Sequence, residues 1–262
     1  MVQPERARTL FKSMPCKALE IHRLLIQEYG NRRWQARADP LSELIGTILS
    51  QNTSDVNSAR AFNALRAILP TWEDVRDAPV ETVEAAIRPG GLSAIKAPRI
   101  QRVLAAITRE RGNLDLAFLA NLPIPEARRW LTSLDGVGPK TAACVLMFSL
   151  GKPVIPVDTH VHRLARRLGL VKNTATPEQT EEILESLLPP ADRYVFHLNL
   201  IAHGRQVCKA QRPRCSDCVL ACHCDYFAPS ARVSVDPGLA DTGSQDGGSD
   251  AFSSPAFTNH ER

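Results

Sequence analysis

Apolar residues in this chain recur mainly at helical spacing. From Pro40 onward, Leu41, Leu44, Ile45, Ile48 and Leu49 fall at i, i+3, i+4, i+7 and i+8, one face of an amphipathic helix with proline at its first position. That helix runs out into the polar stretch Ser50-Gln51-Asn52-Thr53-Ser54-Asp55. An earlier helix is expected from about Cys16, with Leu19, His22, Leu24, Leu25 and Ile26, closing at Gly30. The spacing predicts further helices at about 56–69, 79–88, 98–111 and 125–134, with Pro79, Pro98 and Pro125 at or near their first positions. Residues 140–150 are apolar on every side, which predicts a central buried helix capped by Gly151. Asp158 opens a helix carrying Val161, Leu164, Ala165 and Leu168, and Thr176-Pro177-Glu178-Gln179 reads as a capping box. A last helix is expected at about 191–206. No segment alternates as a strand would, so the fold class is all-α.

The ends break this rhythm. Residues 1–15 carry Arg6, Arg8 and Lys12 with little periodicity and read as a loose basic arm. From Pro229 to Arg262, Gly, Ser, Asp and Ala dominate, which predicts a disordered tail over 229–262. The 262 residues suffice for one large domain or two small ones. Net charge is +4; the tail holds Arg232 and Arg262 against Asp236, Asp241, Asp246, Asp250 and Glu261, which leaves +7 on residues 1–228. A basic body with an acidic tail points to a polyanionic partner. No apolar run approaches a membrane span, and the first residues are polar and basic, so a soluble intracellular protein is expected.

Two stretches carry chemistry. In Leu134-Asp135-Gly136-Val137-Gly138-Pro139-Lys140-Thr141-Ala142, a Gly-x-Gly turn feeds straight into a helix whose first turn holds a lysine. Exposed amides and the positive helix end suit a phosphate, and glycine at 136 and 138 permits positive φ and close approach. Eighteen residues after Lys140, Asp158 begins another helix. The second stretch is a crowd of cysteines: five of the seven lie within Cys208–Cys224. Cys208, Cys215, Cys218 and Cys224 are spaced C-x6-C-x2-C-x5-C, suited to zinc or an iron–sulfur cluster, and counting alone leaves Cys222 or Cys224 as the fourth ligand. Cys16 and Cys144 sit in apolar helical settings and read as core residues. The loop inside the cluster carries Lys209, Arg212 and Arg214, a platform for phosphates.

In this order, the two constellations resemble the endonuclease III branch of the helix-hairpin-helix DNA glycosylases. The matching pieces are Ile48-Leu49-Ser50 with Asp55-Val56, Gly90-Gly91-Leu92, the hairpin 134–142, Val157-Asp158-Thr159-His160, His203-Gly204-Arg205 and the four cysteines, over roughly residues 16–226. The resemblance implies a [4Fe-4S] cluster on Cys208, Cys215, Cys218 and Cys224, with Cys222 outside it. It implies a six-helix barrel over 33–152, a cluster lobe from 16–32 and 153–228, and a DNA-binding cleft between them. Lys140 would stand on one wall as the nucleophile and Asp158 on the other. Gly136, Val137, Gly138 and Thr141 would hold a phosphate, with Gln51 or Asn52, and Leu92, entering the duplex.

The implied activity is bifunctional: excision of oxidised pyrimidines from duplex DNA, then strand cleavage at the abasic site through a lysine Schiff base. A neutral amine is needed, and burial and the helix N-terminus are expected to lower the Lys140 pKa. A monomer bound to damaged or abasic double-stranded DNA is expected, with no membrane. The lysine separates this chain from the related adenine glycosylases. Where the family places glutamine two residues after Leu-Ser, this chain has Asn52, with Gln51 one step early; Ser93-Ala94-Ile95 replaces Tyr-Asn-Ser. His160 and His203 are expected to pack and hydrogen-bond. The competing readings are a non-enzymatic DNA-binding module, a zinc-stabilised nucleic-acid protein, and a glycosylase of the same superfamily with another base preference.

Overall fold

The computed structural model describes residues 4–227, with side chains from Met14 onward; the segment read as a disordered tail lies outside that range. Eleven α-helices are found there: α1 Pro4–Tyr29, α2 Pro40–Ser50, α3 Asp55–Ile68, α4 Trp72–Asp77, α5 Val80–Ile87, α6 Ser93–Arg111, α7 Ile124–Thr132, α8 Pro139–Phe148, α9 Thr159–Arg167, α10 Pro177–Leu187 and α11 Arg193–Gln206. Short 3-10 turns join several of them, and among the described residues none is in a strand. The fold is all-α. No described helix is long and apolar enough to cross a membrane.

Buried side chains form two cores. Helices α2 to α8 surround the first, which includes Leu44, Ile48, Leu104, Leu131 and Leu146. The second joins α1 to α9, α10 and α11 through Ile21, Leu25, Leu164, Leu184 and Phe196. Each such side chain contributes roughly 1.5–3 kcal/mol on burial. The chain passes from one core to the other between Val154 and Ile155. Arg128 of α7 ties the two halves, reaching Glu181 (2.6 Å) and Glu185 (2.8 Å) of α10, and Glu185 also accepts the Ile155 amide at 3.0 Å. On another side, Arg205 of α11 meets Asp55 of α3 at 2.7 Å.

Several local expectations are met. Residues 141–148 of α8 are all buried, and Thr176 with Gln179 forms a reciprocal capping box. Others are corrected. The helix expected from Cys16 already runs from Pro4, so residues 4–15 belong to α1 and are not a loose arm; Pro4 sits at a position that needs no amide partner, and the following Glu, Arg, Ala and Leu are good helix formers. Helix α4 was not anticipated, although Thr71 and Asp74 cap it reciprocally. Helix α6 begins at Ser93, five residues before Pro98, because Leu92 turns left-handed and its carbonyl accepts the Ile95 and Lys96 amides. Helix α8 stops at Phe148, and Gly151 (φ +61°) lies beyond the cap.

Candidate active site

Between the two cores opens a cleft of about 650 Å³. Lys140 and Thr141, in the first turn of α8, line one side; Asp158 and the start of α9 line the other. The lysine and the aspartate, from segments belonging to different cores, therefore face a single space. Lys140 follows Pro139 at the first turn because the preceding turn is built for it. Gly136 takes φ +72°, and a Cβ there would lie 2.3 Å from the Arg99 side chain. Gly138 differs from expectation: its φ of −85° suits any residue, and an added Cβ would meet nothing within 4 Å. Val137 is buried in the core and its amide bonds the Leu134 carbonyl at 3.1 Å. Among the described residues, no acceptor meets the Gly136 or Gly138 amides.

Asp158 caps α9: its carboxylate accepts the Val161 amide at 2.8 Å. That bond occupies Oδ1 and fixes the side chain where it borders the cleft. The floor carries groups that sequence reasoning did not assign to the site: Glu43 of α2, Cys144 of α8, Arg37 and His197. Cys144 stands four residues after Lys140, hence on the same helix face, a spacing that could have revealed it. It is buried, as the apolar setting led us to expect, yet it borders the cleft. Burial holds its thiol above the usual range, and burial likewise raises the Glu43 carboxyl.

The charge of Lys140 runs against expectation. Its pKa is raised: the Cys144 sulfur is the largest influence, burial pulls the other way, and Asp158 and Glu43 both hold the proton on. The net direction keeps Lys140 an ammonium near neutral pH. Cys144 shares the helix face of Lys140, whereas Asp158 and Glu43 are brought near only by the tertiary structure. His197, fully enclosed, is pushed down to about 4 by burial and stays neutral.

The other residues singled out in the sequence distribute around this centre. Gln51 and Asn52 line the cleft. Gln51 is held by the Arg99 guanidinium (3.2 Å) and lies 3.5 Å from the Thr141 hydroxyl, while Asn52 is exposed with φ +56°. Leu92, left-handed at φ +53° and half exposed, projects outside the cleft lining. Lys209, Arg212 and Arg214 are exposed on the cysteine loop and also lie apart from the cleft. His160 hydrogen-bonds Arg163 (3.0 Å) and His203 hydrogen-bonds Tyr29 (2.9 Å); burial lowers both, His203 to about 4.

Cys208, Cys215, Cys218 and Cys224 surround one small cavity of about 20 Å³, and Cys222 is exposed outside it. Arg167 donates to the Cys208 sulfur at 3.2 Å, and His203 Nε2 lies 3.3 Å from Cys218 Sγ. Among the described residues, no three His, Cys, Asp or Glu side chains converge tightly enough for a single metal ion.

The profile of the HhH-GPD superfamily base excision DNA repair protein matches residues 45–190. A Thermotoga maritima endonuclease III is 35% identical over 208 residues, 79% of this chain and 92% of that one. This chain belongs to the endonuclease III family. An Arabidopsis thaliana protein named as a candidate DNA glycosylase is 42% identical over 165 residues, 63% of this chain and 56% of that one. The solved structure of a trapped covalent endonuclease III–DNA intermediate superposes with a TM-score of 0.65 at 28% identity, over 87% of this chain and 98% of that one. The HhH-GPD assignment makes this a base excision DNA glycosylase fold, and the matched stretch contains both Lys140 and Asp158.

Proposed function

We propose that this protein is a bifunctional DNA glycosylase and abasic-site lyase that removes oxidised pyrimidines from duplex DNA, with Lys140 as nucleophile. The observation that carries the reading is the placement of Lys140 and Asp158 on facing sides of one 650 Å³ cleft, with space for an extruded nucleotide. The trapped covalent complex of the similar endonuclease III supports a covalent route. Lys140 first yields its proton, with the Asp158 carboxylate as acceptor. Closure of DNA over the cleft removes water and so destabilises the separated charges. The Lys140 nitrogen then bonds to the sugar C1′ as the bond to the base breaks, and the base leaves with that electron pair and takes up a proton. Loss of the N–H proton and sugar-ring opening give the Schiff base. Removal of a C2′ proton then expels the 3′ phosphate by β-elimination. The free amides of Gly136 and Gly138 are placed to bind a backbone phosphate, and the absence of a Cβ at Gly138 leaves that approach open. Asn52 and Leu92 are assigned to the duplex, and Lys209, Arg212 and Arg214 to more distant phosphates.

Cys208, Cys215, Cys218 and Cys224 would hold a [4Fe-4S] cluster, which supplies a rigid cross-link of the loop and an electron-accepting group. Support for this reading comes from the four free thiols that line one cavity, while Cys222 is exposed and outside that lining.

The test is borohydride trapping on duplexes containing an oxidised pyrimidine or an abasic site. A covalent adduct forms with the native chain and is lost in Lys140→Gln, which still binds DNA in a salt-dependent way. An adduct that persists in Lys140→Gln refutes the assignment. Binding without excision of any base would favour a non-enzymatic module, and excision confined to other bases would move the specificity.

A further inference from the structure

Lys96 of α6 is a charged side chain in an apolar setting, only 2% exposed. Its ammonium donates to the Leu49 carbonyl at 2.7 Å and to the Gly90 carbonyl at 3.0 Å. Burial lowers its pKa, and no carboxylate is a resolved influence on it. Its anchors are therefore carbonyls at the C-terminal end of α2 and of the 3-10 turn Arg88–Gly90, where backbone dipoles leave partial negative charge. Three residues after Leu49 comes Asn52, and two after Gly90 comes Leu92. Among the described residues only three other than glycine have positive φ, and Asn52 and Leu92 are two of them. Backbone of this kind is costly for residues other than glycine and persists where surrounding structure over-determines it. One buried cation thus grips the roots of both strained tips, and the packing there is close: a Cβ on Gly90 would lie 2.9 Å from the Ala61 side chain.

We propose that Lys96 is a positioning residue that locks the Asn52 loop and the Leu92 turn into one rigid unit, so that both side chains enter the duplex together as the nucleotide is extruded. The inference rests on the glycosylase reading above. Neither tip touches the reacting atoms, and Lys96 acts only through them. Its influence falls on the opening of a paired, stacked site and not on chemistry at a site already open.

The experiment compares two rates in native protein, Lys96→Met and Lys96→Arg. These are single-turnover excision of an oxidised pyrimidine in a fully paired duplex, and borohydride trapping at a preformed abasic site. Lys96→Met should slow excision about tenfold more than trapping, equivalent to ~1.4 kcal/mol placed on the opening step. Excision should recover when the lesion stands opposite a gap, and Lys96→Arg should restore part of the loss. Equal slowing of excision and trapping, or no slowing, overturns the proposal. Should Lys96→Met fail to fold, a double-mutant cycle of Asn52→Ala and Leu92→Ala in the native background replaces it. A loss of excision rate in the double variant that departs from the product of the two single losses by more than about twofold supports a shared support, and simple additivity overturns it. Trapping by the native chain with additive tips would sink this inference alone, whereas absence of trapping and excision in the native chain would sink the glycosylase reading as well.

Discussion

The hairpin glycines allow a prediction in which two similar substitutions part company. In Gly136→Ala, the new Cβ must adopt φ +72° and would lie 2.3 Å from Arg99 Cδ. The left-handed conformation alone costs an alanine about 1–2 kcal/mol. Arg99 can swing away, but doing so breaks its 3.2 Å bond to Gln51 at the cleft edge. A chain of this size should then melt roughly 2–8 °C lower. Gly138→Ala meets no such penalty, because φ is −85° and the space around the added Cβ is open. Its stability should stay within about 0.5 kcal/mol of native. What Gly138→Ala should lose is DNA affinity, because the methyl group stands where a phosphate oxygen would approach the free amide. Thermal melts and fluorescence anisotropy with an abasic-site duplex, run side by side, separate the two effects. A destabilised Gly138→Ala, or one that binds DNA normally, would refute the reasoning from open space.

Three further outcomes are expected. Asn can also cap a helix, so Asp158→Asn should keep its melting temperature while single-turnover excision collapses; Asp158→Ala should lose a further ~1 kcal/mol of stability as the bond to Val161 goes. Glu181 is raised to about 7, chiefly by burial, against an ordinary value of 4.5. The folded state therefore holds a proton that the unfolded chain has released, and stability falls as pH rises from about 4.5 to 7, by about 3 kcal/mol if the full shift is expressed. Glu181→Gln should flatten that slope in melts from pH 5 to 7.5, and parallel profiles would contradict it. Iron content and visible absorption of purified protein should survive Cys222→Ser and vanish in Cys224→Ser; the reverse would reassign the fourth ligand.

What could be read along the chain was local. The all-round apolar pattern of α8, the Thr176–Gln179 box and the Asp158 cap depend on neighbours within one helical turn, so residue order alone determined them. The same reasoning failed where distant segments decide. Proline at 98 looked like a helix start until Leu92, held in a left-handed turn, began α6 five residues sooner. Lysine beside a helix N-terminus looked poised to lose its proton, yet its pKa is raised, by Cys144 first and then, against the pull of burial, by Asp158 and Glu43 brought in from elsewhere. Nothing in the order of residues announces that Lys96 spans the roots of two loops, or that Arg128 joins α7 to α10. Helix propensity and capping act over a few residues, whereas electrostatic and hydrogen-bond partners are chosen by distance in space. The identities of the proposed catalytic pair were therefore written in the sequence, and the shared cleft that makes them a pair, together with the raised pKa of the lysine, belonged to the tertiary structure.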